Sequence, residues 1–359
     1  MKLIISCGGT GGHFYPGLAI ARLAKNEGHE VELYLGGHHQ EAQAKKAAEY
    51  DLPCHIAFSG HRPQGKIKLI FFGLRALWAT FQAFFYLRRK KADALLIMGS
   101  FAGVPIGLAS RLTRTKLFLH EANTVPGKAN RLLSRWAEKL FYSFPLQNQY
   151  PLHCPLELTG MPVRPELKQS EKTRAELCAQ FGFDPLVPTV LAFGGSQGSM
   201  IINKTLKEAA EKLSKPLQVI HLIGPYDCSE YQEAYAQAGI KAHVAKYEED
   251  MAKLYNIADL ALCRSGASTL AELTLFSCPA LFIPLKIAAD QHQKFNALVA
   301  KEAGGAEMIE EKDFSAETLA EKLNELSQSP EGLKKLAEGM YSIAEKDSAK
   351  RALASILAK

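Results

Sequence analysis

The sequence holds only seven cysteines, at positions 7, 54, 154, 178, 228, 263 and 278. No two of them form a C-x-x-C pair, and the odd, scattered set argues against a disulfide framework or a zinc site and for a reducing compartment. No uncharged apolar run reaches the roughly eighteen residues needed for a bilayer span, so none is expected to cross a membrane. No charged leader, apolar stretch and cleavage site precede the first strand-like run, Lys2-Leu-Ile-Ile-Ser-Cys7, and no export is expected. Glycine clusters are present, but none continues as Gly-Lys-Ser/Thr, which excludes a P-loop. There is no Asp-x-Asp pair, so no obligatory metal and no obligatory cofactor are expected.

What remains is the composition of a folded α/β protein: 47% hydrophobic and 22% charged residues in 359. That length exceeds one ordinary core and favours about two domains. The net charge of +6 is uneven, with 20 Lys+Arg against 10 Asp+Glu in residues 1–160 and an acidic excess in the remainder. A basic half implies an anionic surface as partner, either nucleic acid or an anionic membrane leaflet. No nucleic-acid recognition module is visible.

Short apolar runs alternate with helical stretches along the chain. In the first half they are Leu3–Cys7, Val31–Leu35, Ala94–Met98, Lys116–His120 and Lys139–Ser143. In the second they are Thr189–Phe193, Gln218–Ile223, Ala242–Tyr247, Leu260–Cys263 and Ala280–Pro284. Runs this apolar suit strands buried on both faces of a parallel sheet, and the alternation builds doubly wound α/β domains. The prolines of Met161-Pro-Val-Arg-Pro165 mark a boundary. Each half opens alike, with a strand, a glycine cluster and a helix: Gly8-Gly-Thr-Gly-Gly-His13 in one and Gly194-Gly-Ser-Gln-Gly-Ser199 in the other. Such a turn lets backbone N–H groups approach a phosphate, or it is simply a tight strand–helix connection. A dinucleotide reading is poor, because Gly9-Thr-Gly-Gly-His-Phe14 lacks the third glycine of the fingerprint and the second strand ends Tyr34-Leu-Gly-Gly37 without a carboxylate. His13 opens a helix, where the positive end of the dipole disfavours an imidazolium. The ring then suits a general base for a hydroxyl, or serves only in packing or capping.

Between Lys66 and Lys91 the chain reads KIKLIFFGLRALWATFQAFFYLRRKK. Ile70, Phe71, Phe72, Leu74, Trp78, Phe81 and Phe85 stand there between basic ends. The stretch fits a helix or helix pair lying at a membrane interface, or an internal helix with lysines at its ends.

Eight segments in order resemble the MurG family of bacterial peptidoglycan glycosyltransferases. They are Gly8–His13 with Pro16–Ala19; Gly99–Pro105; His120-Glu-Ala-Asn123 with Gly127; Pro162-Val-Arg164; Gly194–Gly198; Asp250-Met251; Cys263-Arg-Ser-Gly-Ala267 with Glu272; and Asp290-Gln-His-Gln293 with Asn296-Ala297. The resemblance implies a GT-B fold, with two Rossmann-like parallel-sheet domains facing across a cleft. It implies inverting transfer of N-acetylglucosamine from UDP-GlcNAc to the muramyl C4 hydroxyl of lipid I, giving lipid II. His13 would be the base, with Glu121 next in line. Thr10, Gly11 and Gly12 would line the cleft near the reacting sugar, and Asn123 and Arg164 would contact the donor. Ser196 and Gln197, with their loop, would hold the diphosphate. Backbone at Glu248 would meet the uracil. The helix start Ala267, Ser268, Thr269 and Leu270 would border the nucleotide. Glu272 would take the ribose hydroxyls with Arg264 as its ion-pair partner, and Gln293 and His292 would read the sugar. Taken alone, Glu272 is equally an ordinary surface residue and Arg164 a linker charge. Asp290 is expected only to cap the helix that follows.

The implied partners are lipid I and the anionic membrane surface, with other cell-wall or division proteins open as further partners and no nucleic acid. The implied location is the cytoplasmic face of the bacterial plasma (inner) membrane, peripherally bound. Expected domains are 1–162 for the acceptor and membrane, 163–338 for the donor, and 339–359 as a helix returning to the first domain. Three positions depart from the family pattern: Ala122 where glutamine is usual, Met161 where asparagine is usual, and Phe101 where an aromatic hydroxyl is usual. These leave fine substrate preference open. A UDP-GlcNAc epimerase shares the architecture and would have no use for the aromatic-basic stretch.

Overall fold

In the computed structural model the described residues are 1–37, 39–57, 66–147, 149–195, 197–214 and 216–358, with 66–72 described as backbone only. They form two compact units. One holds Met1–Pro165 together with Glu345–Lys359, and the other Glu166–Ala344.

The first unit is a seven-stranded parallel sheet. Its strands are β1 (Lys2–Ser6), β2 (Glu30–Leu35), β3 (Cys54–Ile56), β4 (Ala94–Ile97), β5 (Lys116–Glu121), β6 (Lys139–Tyr142) and β7 (Leu156–Leu158), in spatial order β3-β2-β1-β4-β5-β6-β7. The register pairs Leu3 with Val31 on one side and with Ala94 on the other. The helices are α1 (Gly11–Asn26), α2 (Gln40–Ala48), α3 (Lys66–Lys90), α4 (Val104–Thr113) and α5 (Lys128–Leu133).

The second unit is a six-stranded parallel sheet of β8 (Thr189–Phe193), β9 (Gln218–Leu222), β10 (Lys241–Ala245), β11 (Leu260–Cys263), β12 (Ala280–Phe282) and β13 (Ala306–Met308), in order β10-β9-β8-β11-β12-β13. Around it run α6 (Arg174–Ala179), α7 (Met200–Ala209), α8 (Ser229–Gln237), α9 (Met251–Tyr255), α10 (Ala267–Leu275), α11 (His292–Glu302), α12 (Ala316–Ser327) and α13 (Pro330–Ser342). The chain ends in α14 (Ser348–Leu357).

The central strand runs are largely buried and mostly apolar because both faces of each sheet are covered. Within β1, Leu3 and Ile5 join a core with Leu18 and Ile20 of α1, while Ile4 joins the opposite core with Ala83 and Leu87 of α3 and Ile106 of α4. Ala352, Leu353 and Ile356 of α14 belong to the α1-side core, so the tail is part of the first unit's packing. The crossing falls between Ala344 and Glu345, after α13 has finished in the second unit, whereas the sequence reading began the returning segment at 339. Three edge strands escape the hydrophobic pattern, namely β3, β7 and β13. Each is three residues long, and none is buried throughout.

Candidate active site

In a doubly wound sheet, ligands bind beyond the carboxyl ends of the strands where the strand order reverses, because the segments leaving there turn to opposite faces. That point lies between β1 and β4 in the first unit and between β8 and β11 in the second. The segments that follow these four strands carry most of the residues singled out from sequence.

In the first unit, α1 starts at Gly11 with Thr10 at its N-cap in an extended conformation. Thr10 makes no side-chain cap. Its Oγ1 instead lies 3.1 Å from Nδ1 of His13. The imidazole rests against Gly99, which follows β4. Gly99 has φ +96°, and a Cβ there would stand 2.9 Å from Cδ2 of His13. Glycine is thus required twice over at this position, by backbone conformation and by space. Arg164 closes the constellation, with its guanidinium carbon 5.1 Å from the ring centroid of Tyr15, one turn into α1. Tyr15 also stands 3.5 Å from where a Cβ on Gly11 would be. Thr10, Gly11, Gly12, His13 and Arg164 are therefore neighbours.

Glu121 has a different setting. At the end of β5 it is buried, accepting from the backbone N–H of Asn123 (3.1 Å), the backbone N–H of Gly127 (2.8 Å) and Nδ2 of Asn130 (2.8 Å). Burial raises its pKa, and these donors pull the other way. The carboxylate thereby ties together the 121–127 turn that carries Asn123. The adjacent His120 is buried, with Nε2 3.2 Å from the carbonyl oxygen of Gly160. Its pKa is pushed down to about 4, chiefly by desolvation, which the bond to the Gly160 carbonyl only partly offsets. Of the three departures from the family pattern, Ala122 and Met161 are buried. Phe101 is exposed and opens a short turn whose Ser100 cap has φ +68°.

In the second unit, β8 runs into Gly194–Ser199 and then α7. Gly198 has φ +71°, and a Cβ there would meet the carbonyl oxygen of Ile223 at 2.5 Å. Gln197 is exposed at this turn, and Ser196 lies outside the described residues. After β11, Gly266 caps α10 in an extended conformation, and Ala267, Ser268, Thr269 and Leu270 form its first turn. The N-termini of α1, α7 and α10, like those of α4, α5, α11 and α14, have no side-chain cap and no acid in the first turn. By contrast α6, α12 and α13 are capped by Thr173, Ser315 and Ser329. Helix N-termini without a side-chain cap at a switch point are the usual cradle for a phosphate or sugar oxygen.

Glu272 lies in α10 and accepts a 2.8 Å hydrogen bond at Oε2 from the hydroxyl of Tyr255. The expected Arg264–Glu272 pair is not what the structure contains. Arg264 binds Glu311 at 2.6 Å and donates to the carbonyl oxygen of Ile283 at 2.9 Å. Its guanidinium thereby ties the end of β12 to the turn before α12, and Glu272 takes a neutral donor in its place.

Gln293 lies in the first turn of α11, and its Oε1 accepts from the backbone N–H of Leu285 at 3.0 Å. His292 Nδ1 is 2.8 Å from the carbonyl oxygen of Ala289. Asp290 does not cap this helix. Gln291 is the N-cap and offers no side-chain bond, while Asp290 and Gln291 take φ of +49° and +53°. Two consecutive left-handed non-glycine residues mark local strain beside Gln293. Glu248 pairs with Lys253 at 2.7 Å and accepts from the backbone N–H of Asp250 at 3.0 Å. Burial is the largest single influence and raises its pKa, but the Lys253 bond and charge together with the backbone donors outweigh it, and the pKa falls. Tyr15, Gly99 and Tyr255 carried no sequence signal for the contacts they make.

On α3, Ala79, Ala83 and Leu87 face the core, while Leu74, Leu77, Trp78, Phe81 and Phe85 are each more than half exposed. Arg88, Arg89 and Lys90 form the last turn of this helix. The side chains of Ile70, Phe71 and Phe72 lie outside the described residues. No helix among the described residues is long and apolar enough to cross a membrane.

Known proteins place this geometry. Residues 3–142 match the glycosyltransferase family 28 N-terminal domain, and residues 189–352 match the family's C-terminal domain. A protein of Citrifermentans bemidjiense is 35% identical over 367 residues, spanning all of both chains. It is named UDP-N-acetylglucosamine--N-acetylmuramyl-(pentapeptide) pyrophosphoryl-undecaprenol N-acetylglucosamine transferase. A Geotalea uraniireducens protein of the same name is 36% identical over 361 residues, covering 97% of this chain and 96% of its own. The crystal structure of Acinetobacter baumannii MurG superposes with a TM-score of 0.82 at 29% identity, covering 99% of each chain. A UDP-GlcNAc 2-epimerase from Neisseria meningitidis shares the fold alone, at 14% identity and a TM-score of 0.69, over 99% of this chain and 100% of its own. The two parallel-sheet domains are those of the GT-B class, and the chain belongs to glycosyltransferase family 28.

Proposed function

We infer that this enzyme transfers N-acetylglucosamine from UDP-GlcNAc to the muramyl C4 hydroxyl of undecaprenyl-pyrophosphoryl-MurNAc-pentapeptide, lipid I, yielding lipid II. The observation that carries the reading is similarity to proteins of that named activity along the whole of both chains. The residues around His13 supply chemistry that fits it.

The donor is held by the second unit. The uncapped N-termini of α7 and α10 face the pyrophosphate, Glu272 takes the ribose hydroxyls, and Gln293 with His292 reads the sugar. Glu248 marks the strand end beside the uracil. Arg164 and Asn123 would contact the donor, as the resemblance implies. His13 accepts the proton of the acceptor hydroxyl through Nε2, which requires the proton of the neutral ring to sit on Nδ1 and be donated to Thr10 Oγ1. The acceptor oxygen then attacks the anomeric carbon from the face opposite UDP, so an α-linked donor gives a β-linked product. Negative charge growing on the departing UDP is stabilised by the helix N-termini. No metal is required in this scheme, and chelation with EDTA is expected to leave the rate unchanged.

The lipid-linked acceptor calls for a membrane surface. The exposed stripe of α3, ending in Arg88, Arg89 and Lys90, suits peripheral docking on the cytoplasmic face of the plasma membrane, with aromatics among acyl chains and cations on headgroups. Other cell-wall or division proteins would meet the enzyme there.

The test is NMR of the product formed from UDP-GlcNAc and a short-chain lipid I analogue. A β-linked disaccharide is expected. A retained α-linkage would overturn the inverting scheme, and C2-epimerised nucleotide sugar formed without acceptor would overturn the transferase reading.

A further inference from the structure

Tyr255 is buried at the end of α9 and matches none of the motifs read from sequence. Its ring is packed between the ends of two elements of the donor unit. Phe193, the last residue of β8, stands edge-on at 6.3 Å between ring centroids, and Phe276, just past α10, at 5.2 Å. A ring pinned on two sides leaves its hydroxyl one direction, and that hydroxyl donates to Glu272 Oε2 at 2.8 Å. Burial and then the Glu272 charge hold the Tyr255 pKa well above its ordinary value, so the group is a permanent donor.

We propose that Tyr255 is a positioning residue for nucleotide selection: its hydroxyl fixes the rotamer and plane of the Glu272 carboxylate so that the enzyme prefers ribose to 2′-deoxyribose. The proposal rests on Glu272 as the ribose contact. A glutamate side chain has three rotatable bonds, and each bond that holds its carboxylate reduces the ordering left to do when it receives a diol. The Tyr255 bond orders it beforehand through one oxygen. The same ring touches Phe193, from which the chain enters Gly194–Ser199, so one aromatic brace serves both the ribose carboxylate and the strand end behind the diphosphate turn.

Calorimetric titration of the full chain with UDP and with 2′-deoxy-UDP separates the possibilities, since neither needs acceptor or turnover. The wild type is expected to favour UDP. Tyr255→Phe keeps the ring and its packing and removes only the donor. It is expected to weaken UDP binding by roughly five- to tenfold while leaving 2′-deoxy-UDP nearly unchanged, so the preference collapses. In a Glu272→Gln background the same change has no further effect on the preference, as a coupled pair requires. An unchanged preference in Tyr255→Phe, with the preference lost in Glu272→Gln, overturns the proposal and leaves the ribose reading standing. Equal weakening toward both nucleotides assigns Tyr255 to packing and also overturns it. Equal binding of both by the wild type, or no UDP binding, overturns the ribose reading itself and the proposal with it.

Discussion

The side-chain oxygen of Thr10 lies 3.1 Å from Nδ1 of His13, so the residue that begins helix α1 also sets the orientation of the imidazole three positions on. His13→Ala is expected to lower kcat by about 100-fold or more, with UDP affinity within a factor of about two. Thr10→Val loses only the orienting bond, and its loss is expected nearer tenfold. Gly99→Ala should resemble His13→Ala in rate, because the added methyl meets the ring and the backbone has φ +96°. Steady-state kinetics with UDP binding measured separately checks all three.

Arg264 and Glu311 join two segments distant in sequence, both largely shielded from solvent. Glu311→Ala leaves the guanidinium with the Ile283 carbonyl and no anion. The expected cost to the second unit is about 1–3 kcal/mol, read as a lowered midpoint in urea unfolding. Glu311→Gln should recover part of it.

Stability should fall in mild acid through two buried histidines. His221 is held near pKa 3 by desolvation, below its ordinary 6.5, and hydrogen-bonds Asn203 at 3.2 Å and Tyr235 at 2.9 Å. His120 behaves likewise, near 4. The unfolded chain binds these protons at pH values where the native chain does not. Native stability is therefore fully present above about pH 6.5 and declines as pH falls toward the folded values, by roughly 1.4 kcal/mol per pH unit for each group. Urea unfolding between pH 7 and pH 4.5 checks the slope, and His221→Gln should make it shallower.

The α3 stripe is separable from the sugar chemistry. Replacing Leu74, Trp78, Phe81 and Phe85 together by serine is expected to abolish sedimentation with anionic vesicles while UDP binding stays intact. Because these side chains are already exposed, stability should hold or rise. Retained vesicle binding would locate the membrane contact elsewhere.

The parts of the fold legible in sequence are those where chain pattern and burial coincide. Thr189–Phe193 and Leu260–Cys263 are buried from end to end and almost wholly apolar because helices cover both faces of their sheet. Cys54–Ile56 and Leu156–Leu158 sit at or next to a sheet edge, where one partner strand and partial burial suffice, and three residues carry no period. Glycine clusters announced the turns after β1 and β8, since close backbone approach excludes other residues. The partners of charged groups were not legible. Glu272 and Arg264 are near in sequence and of opposite sign, yet Arg264 finds its carboxylate at Glu311, in the turn before α12, and Glu272 finds a tyrosine hydroxyl. Likewise Asp290 looks like a helix cap by residue type, but the backbone is left-handed there and the helix starts later. Tertiary approach decides such pairings, and no local rule encodes it.

The central claim is glycosyl transfer to a lipid-linked acceptor. It is tested most directly by the rate of UDP release from UDP-GlcNAc with and without a short-chain lipid I analogue, wild type beside His13→Ala. Release that depends on the analogue, matches disaccharide formed, and falls by about 100-fold in His13→Ala is the predicted result. Release that ignores the analogue, or consumption of UDP-GlcNAc without disaccharide, would contradict it.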